Sequence, residues 1–416
     1  MPDAVPPSAT AAPGPSALDR RSRWPWLLDP SVAFLNHGSF GACPAPVLEA
    51  QAAWRERMER EPVRFLDRDL EGLLDDVRTE LGAFIGADPD GLAFVPNATH
   101  AVASVLGSLR FEPGDELLAT DHEYNASLNA LARTADRDGA RIVLARLPFP
   151  IEGPEVVVER LLAAATPRTR LVLVSHVTSP TALILPIERI VTAFEARGIP
   201  VLVDGAHGPG QLPLAIDRLA ASFYTGNAHK WLCAPKGSAF LHVRADRRAA
   251  IRPLPTSHGA NDPRLDRPRF RLEWDWTGTA DPSAYLAIPA AIRFLESLRP
   301  GGAAELMATN HSLAVVARDR LVDALAIPPP APDEMLGAMA AVPLPIERGD
   351  AERAARVQAA VLAEGVEAPI TAWPVRAAQR DGRPDAWLVR VSTPSYVEMK
   401  DVERLATALG RALDEG

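Results

Sequence analysis

The sequence predicts an α/β protein in which a mostly parallel sheet is followed by a small C-terminal α+β domain. Apolar runs of strand length alternate with helical patterns between residues 90 and 244, as in the βαβ units that build parallel sheets. Beyond residue 298, helical patterns alternate with two strand patterns, which is typical of a small α+β domain. The length of 416 residues also favours two domains over one.

Composition narrows the function classes. The apolar share of 47% and the charged share of 23% are ordinary for a globular protein. The formal net charge of −9 and the pI of about 5.6 argue against nucleic acid or an anionic membrane as a partner. Cys43 and Cys233 have no metal-ligand spacing, so neither a disulfide framework nor a zinc site is indicated. We expect no metal and a reducing, cytoplasmic setting.

The N-terminal residues resemble neither a signal peptide nor a folded element. Residues 1–18 are rich in Pro, Ala and Ser and lack a basic start and a continuous apolar core, which predicts a disordered tail. Polar side chains and Pro180 interrupt residues 171–191, the stretch nearest to a membrane span. We therefore expect no membrane-spanning helix.

Periodicity gives the elements in order. Helical patterns cover residues 46–59, 70–85, 101–109, 155–165, 186–197, 282–298, 303–325, 351–364 and 400–413. Strand patterns cover residues 92–95, 116–120, 141–145, 171–176, 199–203, 221–225, 238–243, 337–344 and 387–392.

Residues 201–244 contain the strongest functional pattern. The apolar run 199–203 leads to Asp204, which predicts a buried parallel strand that presents a carboxylate at its C-terminal end, where open α/β sheets bind ligands. The next run, 221–225, leads to Lys230. Burial should lower the proton affinity of this lysine, which suits Schiff-base chemistry, and a nearby carboxylate suits a protonated pyridine nitrogen.

Two other interpretations of this stretch exist. An Asp and a Lys at strand ends are most often a solvated loop and a surface cation. The glycine-rich turn over residues 205–210 has the spacing G-x-x-G-x-G instead of G-x-G-x-x-G, and Pro209 interrupts the turn that would lead into a helix. We reject the dinucleotide-binding interpretation.

Two further turns carry candidate ligand groups. Residues 96–100 join a strand to a helix, and free backbone N–H groups at such a junction bind anions, although Asn97 or Thr99 can equally be the helix N-cap. Residues 34–41 have the Asn, Gly and Ser content of a simple turn.

An arginine in the last predicted strand faces inward. Period-two alternation over residues 388–392 places Arg390 on the same face as Leu388 and Ser392. A guanidinium on an inward face suits a bidentate clamp for a carboxylate.

The segment Asp204-Gly205-Ala206-His207, followed by Gly226-Asn227-Ala228-His229-Lys230-Trp231, resembles the class V aminotransferase group of fold-type I pyridoxal phosphate enzymes. The resemblance runs from about residue 34 to the C-terminus and is nearest to the isopenicillin N epimerase branch, with cysteine desulfurases more distant. It implies the fold of a fold-type I transferase, whose large domain contains a mostly parallel, seven-stranded sheet. The implied divisions are a tail over residues 1–20, an N-terminal segment at the mouth of the active site over 21–48, the large cofactor-binding domain over 49–288 and the small C-terminal domain over 289–416.

The resemblance implies that the cofactor is pyridoxal 5′-phosphate. Lys230 would carry it and then act as the base at Cα, Asp204 would keep its ring nitrogen protonated, and His207 would contact its 3-oxygen. Tyr124 would stack on the ring, with His122 as the alternative by one register choice.

The remaining cofactor contacts are implied in the same way. Ser179 or Thr178 would hydrogen-bond to the 3-oxygen. The phosphate would be held by Ala98, Thr99, Asn227 and His229. Gly278-Thr279 resembles a loop that crosses a dimer interface, so Thr279 would act on the partner's phosphate and the enzyme would be a homodimer.

Substrate contacts also follow from the resemblance. Arg390 matches the arginine that binds the substrate α-carboxylate, and Tyr396 fits beside it. Asn36 and His37 would touch the substrate at the mouth of the site. Arg64 either holds a distal carboxylate or forms a surface salt bridge.

The resemblance implies chemistry at the α carbon of a small-molecule substrate that is an amino acid or derived from one, with epimerisation of the isopenicillin N epimerase type as the leading prediction. Residues 369–389 contain no cysteine, and Cys43 and Cys233 lie elsewhere, so a persulfide-forming desulfurase is disfavoured. The alternatives are β-elimination by a C–S lyase or cysteine desulfhydrase, then an aminotransferase, and finally a non-catalytic cofactor-binding protein.

Overall fold

The computed structural model of the protein describes residues 25–414. The tail predicted over residues 1–20 lies outside the described residues. No helix in the described part has both the length and the apolar character needed to cross a bilayer.

The helices and strands of the described part are numbered in chain order. The strands are β1 (Ala33–Phe34), β2 (Leu92–Val95), β3 (Glu116–Thr120), β4 (Arg141–Ala145), β5 (Thr169–Ser175), β6 (Val201–Asp204), β7 (Phe223–Asn227), β8 (Ala239–Val243), β9 (Met339–Pro343), β10 (Val366–Glu367), β11 (Ile370–Trp373) and β12 (Ala386–Ser392). The helices are α1 (Ala45–Arg60), α2 (Leu70–Ile85), α3 (Ala98–Ser108), α4 (Asn125–Asp138), α5 (Pro154–Ala164), α6 (Ile187–Glu195), α7 (Ile216–Leu219), α8 (Arg269–Asp275), α9 (Ser283–Leu286), α10 (Ile288–Ser297), α11 (Gly302–Leu325), α12 (Ala351–Ala363) and α13 (Met399–Asp414).

A seven-stranded sheet forms the centre of the molecule, in the order β2-β8-β7-β6-β5-β3-β4. The pairs β3/β4, β3/β5, β5/β6 and β6/β7 are parallel, whereas β8 runs antiparallel to both of its neighbours. The predicted mostly parallel sheet is therefore confirmed. Parallel strands bring their C-terminal ends to one edge, where ligands bind in open α/β sheets.

Both faces of the central sheet are buried. Val172, Val174 and Val203 belong to one apolar cluster, whereas Leu173 and Leu202 belong to another on the opposite face. Because both faces pack against other elements, these strands are continuous apolar runs and do not alternate with polar residues.

The C-terminal part contains a separate antiparallel sheet in the order β11-β12-β9, which shares an apolar cluster with α12 and α13. The N-terminal segment joins this part, since β1 pairs in parallel with β10. The segment that follows β1 is thereby held between the C-terminal sheet and the central sheet.

Three local differences from the sequence prediction have physical causes. The helix expected over residues 282–298 is divided into α9 and α10, because Pro289 has no N–H to continue the hydrogen-bond ladder. Helix α3 begins at Ala98 instead of residue 101, because Asn97 is its N-cap. Helix α4 was not predicted, and neither were strands β10 and β11, whose short runs lack a clear alternation.

The packing around Gly205 gives a stability prediction. A Cβ at position 205 would lie 2.3 Å from Cζ of Tyr224, whose ring is fully buried. We expect Gly205→Ala to lower the free energy of unfolding by about 1–3 kcal/mol, measured by urea denaturation. Gly72→Ala in α2 is the matched control: no atom lies within 4 Å of the added Cβ, so alanine should raise that free energy by about 0.5–1 kcal/mol. If both variants changed the free energy of unfolding by the same amount, the close packing of Gly205 against Tyr224 would be contradicted.

Candidate active site

A cavity of about 270 Å³ lies at the C-terminal edge of the central sheet. It is lined by Ser39, Phe40, Asn97, Ala98, Thr99, Tyr124, Ser175, Val177, Ser179, Asp204, Ala206, His207, Asn227, His229 and Lys230. The structure thus brings nine of the predicted site residues to one cavity: Ala98, Thr99, Tyr124, Ser179, Asp204, His207, Asn227, His229 and Lys230.

Asp204 is the last residue of β6 and presents its carboxylate to the cavity. Its Oδ2 accepts a hydrogen bond from Ser127 Oγ over 2.8 Å, and its Oδ1 accepts one from the Ala206 amide over 3.2 Å. These two donors fix the orientation of a buried acceptor. Ser127 lies in the first turn of α4, a position that the sequence pattern did not single out.

Lys230 follows the end of β7, and its Nζ lies 3.1 Å from His207 Nε2. The Trp231 indole N–H donates to His207 Nδ1 over 3.4 Å. A neutral imidazole carries one N–H, so the proton of His207 is on Nε2 and is donated to the lysine amine. Burial, followed by repulsion from Lys230, holds the pKa of His207 well below its ordinary value and keeps the ring neutral.

The hydrogen bond from His207 requires a lone pair on the amine of Lys230. Burial is the largest cause that lowers the pKa of Lys230 from 10.5 to about 7, and the nearby Arg390 guanidinium acts in the same direction. Asp204 opposes this shift. A substantial share of the amine is therefore unprotonated near neutral pH, which is the form that attacks a carbonyl.

His37, expected at the substrate, lies behind the lysine and does not line the cavity. Its Nε2 donates to the backbone carbonyl of Lys230 over 3.1 Å, so its Nδ1 accepts from the Tyr396 hydroxyl over 2.9 Å. Burial is the main cause that lowers the pKa of His37 to about 3. The geometry suits positioning of the lysine backbone better than contact with a ligand.

The N-terminus of α3 opens on the cavity. Asn97 Oδ1 accepts from the His100 amide over 2.9 Å, and Asn227 Oδ1 accepts from the Ala98 amide over 2.8 Å. The Thr99 amide has no hydrogen-bond partner within residues 25–414. This free N–H and the helix dipole favour an anion at this position.

His229 also lines the cavity, and its Nδ1 donates to the Ser238 carbonyl over 2.8 Å. Its Nε2 is therefore the atom left for a ligand. Burial is the main cause that lowers the pKa of His229 to about 4. A phosphate dianion would reverse that shift by favouring the imidazolium.

The structure distinguishes two pairs of alternatives. Tyr124 lines the cavity, whereas His122 is fully buried away from it, with Nδ1 2.8 Å from Thr181 Oγ1. Ser179 lines the cavity, whereas the hydroxyl of Thr178 is engaged by Thr181 Oγ1 and the Leu183 amide. Tyr124 and Ser179 are thus the members of each pair that a bound ligand can reach.

Arg390 in β12 is a buried cation without a carboxylate partner among the described residues. Its Nη1 donates to the Ser179 carbonyl over 2.6 Å, and its Nη2 donates to Ser39 Oγ over 2.6 Å and to Asn36 Oδ1 over 3.4 Å. Its Nε is buried without a hydrogen-bond partner. Burial lowers the pKa of Arg390 to about 10. Such a guanidinium is suited to a carboxylate ligand.

Glu123 is a buried acid that the sequence prediction missed. Its carboxyl accepts from the hydroxyls of Thr120 and Ser175, each over 2.6 Å. Burial, with a contribution from Asp204, raises the pKa of Glu123 to about 7. Ser175 pairs with Asp204 across β5 and β6, so Glu123 supports the wall of the cavity from behind. The sequence marked this position only as part of a turn.

The cavity lining does not include the predicted residues Asn36, His37, Thr178 and Arg390, which lie behind it, and two further predicted residues lie away from the cavity. Thr279 is exposed in the turn after α8. Arg64 lies in a π-helical turn, Arg64–Asp69, and pairs with Glu61 at 3.6 Å and with Asp69 at 3.7 Å. The surface salt bridge is therefore the better description of Arg64.

The donor set of the cavity fits pyridoxal 5′-phosphate. An amine with a lowered pKa suits the aldehyde, the oriented carboxylate of Asp204 suits the ring nitrogen, and the open N-terminus of α3 suits the phosphate. The buried guanidinium of Arg390 remains for the carboxylate of an amino acid.

The lowered pKa of Lys230 predicts how the protein captures this cofactor. Only the neutral amine attacks the aldehyde, so the capture rate should rise with pH through a midpoint near 7, whereas an ordinary lysine would have its midpoint near 10.5. Stopped-flow absorbance at about 410–430 nm measures this rate. Arg390→Gln should move the midpoint upward, because a repelling cation is removed. A midpoint near 10.5 in the unaltered protein would contradict the assignment.

Known proteins with similar sequences also include enzymes of the class V aminotransferase family. Residues 43–405 match the family model described as aminotransferase class-V. An isopenicillin N epimerase of Amycolatopsis lactamdurans is 37% identical over 402 residues, which cover 92% of this chain and 95% of the relative. A probable chloroplastic L-cysteine desulfhydrase of Arabidopsis thaliana is 30% identical over 410 residues, which cover 93% of this chain and 84% of the relative.

The fold is shared with solved structures. The structure of a C-DES mutant with glycine covalently linked to its PLP cofactor has a TM-score of 0.74 and 20% identity, covering 91% of this chain and 96% of that chain. The predicted fold-type I architecture is confirmed. The chain belongs to the class V aminotransferase family.

Proposed function

We propose that this enzyme uses pyridoxal 5′-phosphate to epimerise the α carbon of an amino acid or an amino-acid derivative. The observation that carries the proposal is a cavity lined by Lys230 and Asp204, with Arg390 directly behind its lining residue Ser179. Burial, followed by the charge of Arg390, lowers the pKa of Lys230 to about 7. The 37% identity to an isopenicillin N epimerase over most of both chains favours epimerisation among the reactions that begin at Cα.

The bound cofactor supplies a protonated pyridine ring that withdraws electrons from Cα. Asp204, oriented by Ser127, would hold the proton on the ring nitrogen. Tyr124 would cover the ring, and His207 and Ser179 would contact the 3-oxygen. The N-terminus of α3 at Ala98 and Thr99, together with Asn227 and His229, would hold the phosphate.

Arg390 binds the substrate α-carboxylate. Two of its nitrogens are already fixed by Ser179 and Ser39, so the guanidinium is held in place before the substrate arrives. Asn36 supports it from the N-terminal segment, at 3.4 Å from Nη2. This preorganisation directs the Cα–H bond toward the catalytic base.

Lys230 removes the α proton. A base whose pKa lies near the working pH combines a high fraction of the neutral form with sufficient proton affinity. His37 donates a hydrogen bond to the backbone carbonyl of Lys230, and His207 contacts the Nζ of Lys230. The lysine is therefore positioned at its backbone and at its amine. Lys230 keeps the proton that it removes, and a second proton, delivered from solvent to the opposite face of Cα, gives the inverted product.

A second candidate is β-elimination of the cysteine desulfhydrase type, supported by the 30% identity to a probable L-cysteine desulfhydrase. Persulfide formation on the protein is disfavoured, because burial raises the pKa of both Cys43 and Cys233 and neither lines the cavity. Non-catalytic cofactor binding has less support, since Lys230 and Asp204 both line the cavity. Transamination has less support because the relatives compared above are an isopenicillin N epimerase and a probable L-cysteine desulfhydrase.

The enzyme acts as a homodimer in which Thr279 contributes to the partner's phosphate site. One supporting observation is that the turn that carries Thr279 is exposed. Another is that ion pairs fix the segment from which this turn extends, since Arg267 and Arg271 bind Asp75 at 2.9 and 2.8 Å. A groove of about 690 Å³ lies beside this turn at Trp276. Two free buried cysteines fit a cytoplasmic location.

If the enzyme is an epimerase, it should introduce deuterium from D₂O at Cα of its substrate. L-amino acids incubated with the holoenzyme in D₂O should exchange the α proton and yield the D enantiomer, as followed by NMR and chiral chromatography. Lys230→Ala should lower the exchange rate by about 10²–10⁴-fold or more, because the base is lost. Lys400→Ala, at an exposed ion pair with Glu398, is the control and should change nothing.

Product identity separates the two candidates. Exchange with inversion supports the epimerase. Pyruvate and sulfide released from L-cysteine, without inversion of any amino acid in a substrate panel, would replace epimerisation by β-elimination.

The trans role of Thr279 predicts complementation between two inactive variants. Thr279→Asp places a negative charge beside the phosphate, and Lys230→Ala removes the base. Equal mixing after subunit exchange should restore about a quarter of the wild-type activity, because half of the dimers are mixed and each has one intact site. Two Lys230→Ala preparations mixed together are the control. No restoration in dimers shown to be mixed would place Thr279 in its own subunit's site or outside any site.

A further inference from the structure

Two exposed aromatic side chains border the cavity. Phe40 is 76% exposed and Tyr124 is 46% exposed, and among residues 25–414 no other aromatic side chain belongs to the exposed large apolar group. Both line the same cavity. Exposed aromatic surface at a binding site is typical of contact with a ligand.

The loop that carries Phe40 is fixed and not free to fold over the site. The Gly38 amide donates to Ser392 Oγ over 3.1 Å, and Gly41 packs so tightly that an added Cβ would lie 2.5 Å from the Lys230 carbonyl oxygen. Phe40 stands between these two anchored positions. Its ring is therefore held at the mouth of the cavity by the backbone.

Phe40 is adjacent to the carboxylate clamp. Ser39, the preceding residue, accepts from Arg390 Nη2 over 2.6 Å. A substrate whose α-carboxylate is bound at Arg390 has its Cα a few ångströms away, so its side chain starts within reach of the Phe40 ring.

The size of the cavity indicates where that side chain goes. About 270 Å³ is below the range of about 300–1,000 Å³ usual for small-molecule sites, and the cofactor takes part of it. Within one chain, the cavity accommodates the cofactor and the head of the amino acid, so a longer side chain extends to the mouth, where Phe40 lies.

We propose that Phe40 is a specificity-determining residue whose ring packs on the apolar part of the substrate side chain, so that the preferred substrates are amino acids with long, largely apolar chains. The inference rests on the proposed amino-acid function and deepens it. It distinguishes the natural substrate from small amino acids such as alanine and cysteine, whose side chains end before the mouth.

The test compares two probe amino acids on the holoenzyme. L-Norleucine has an unbranched four-carbon side chain, and L-alanine has a methyl group. The kcat/KM for Cα deuterium exchange should be at least about tenfold higher for norleucine than for alanine, as expected for several methylenes in apolar contact. Phe40→Ala should lower the norleucine value by about tenfold and the alanine value by less than about twofold.

Two variants serve as controls. Leu265→Ala removes another exposed apolar side chain, 98% exposed and outside the cavity lining, and should leave both values unchanged. Phe40→Leu keeps an apolar side chain and should retain part of the norleucine preference. The cofactor absorbance band should be the same in all four proteins.

Equal losses for the two amino acids in Phe40→Ala would overturn the specificity role. So would a weakened dimer in sedimentation experiments without a selective loss, since Phe40 would then contact a second copy of the chain.

Binding titrations separate this inference from the proposed function. The change in cofactor absorbance on adding each amino acid gives its Kd without turnover. If no amino acid exchanges its α proton, the proposed function fails, yet a selective loss of norleucine binding in Phe40→Ala would still support the contact. Equal binding of both amino acids by the unaltered protein would contradict it.

Discussion

The withdrawal of the Lys230 amine from water is the constraint on which the site depends. The chain contains three lysines. Lys400 is exposed in an ion pair, Lys236 donates to the Gly41 carbonyl, and Lys230 lines the cavity beside Arg390. Two cations close together in a poorly solvated place repel each other, and the lysine relieves this by losing its proton at moderate pH. The same loss makes it both a nucleophile and a base.

The surroundings of that amine come from three separate parts of the chain. The central sheet delivers Asp204 and Lys230 at neighbouring strand ends, the C-terminal sheet delivers Arg390, and the N-terminal segment is tied down by the pairing of β1 with β10. This last pairing places Ser39 against the Arg390 guanidinium. The Arg390 guanidinium, which has no carboxylate partner among the described residues, is matched to the carboxylate of an amino acid, and the N-terminus of α3 is matched to an anionic phosphate.

Much of this arrangement is predictable from sequence, because local patterns encode it. Continuous apolar runs identified the strands, and the acid and the lysine at their ends identified the cavity edge. The positions of His37, Ser127 and Glu123 are a different matter. Each of these residues acts through a contact with a residue far away in the sequence. The sequence pattern of a turn, or of the first turn of a helix, is the same whether that turn packs behind a lysine or faces solvent. Phe40 was missed for the same reason, since a glycine-flanked turn does not show which way its ring points.

Borohydride reduction of the holoenzyme followed by peptide mass spectrometry locates the lysine to which the cofactor is attached, and it tests the role of Lys230 most directly. With three lysines in the chain, the outcome is unambiguous. We expect a pyridoxyl group on the peptide that carries Lys230 and on neither Lys236 nor Lys400. A modification at either of the other two lysines, or none at all in protein that has taken up the cofactor, would contradict it.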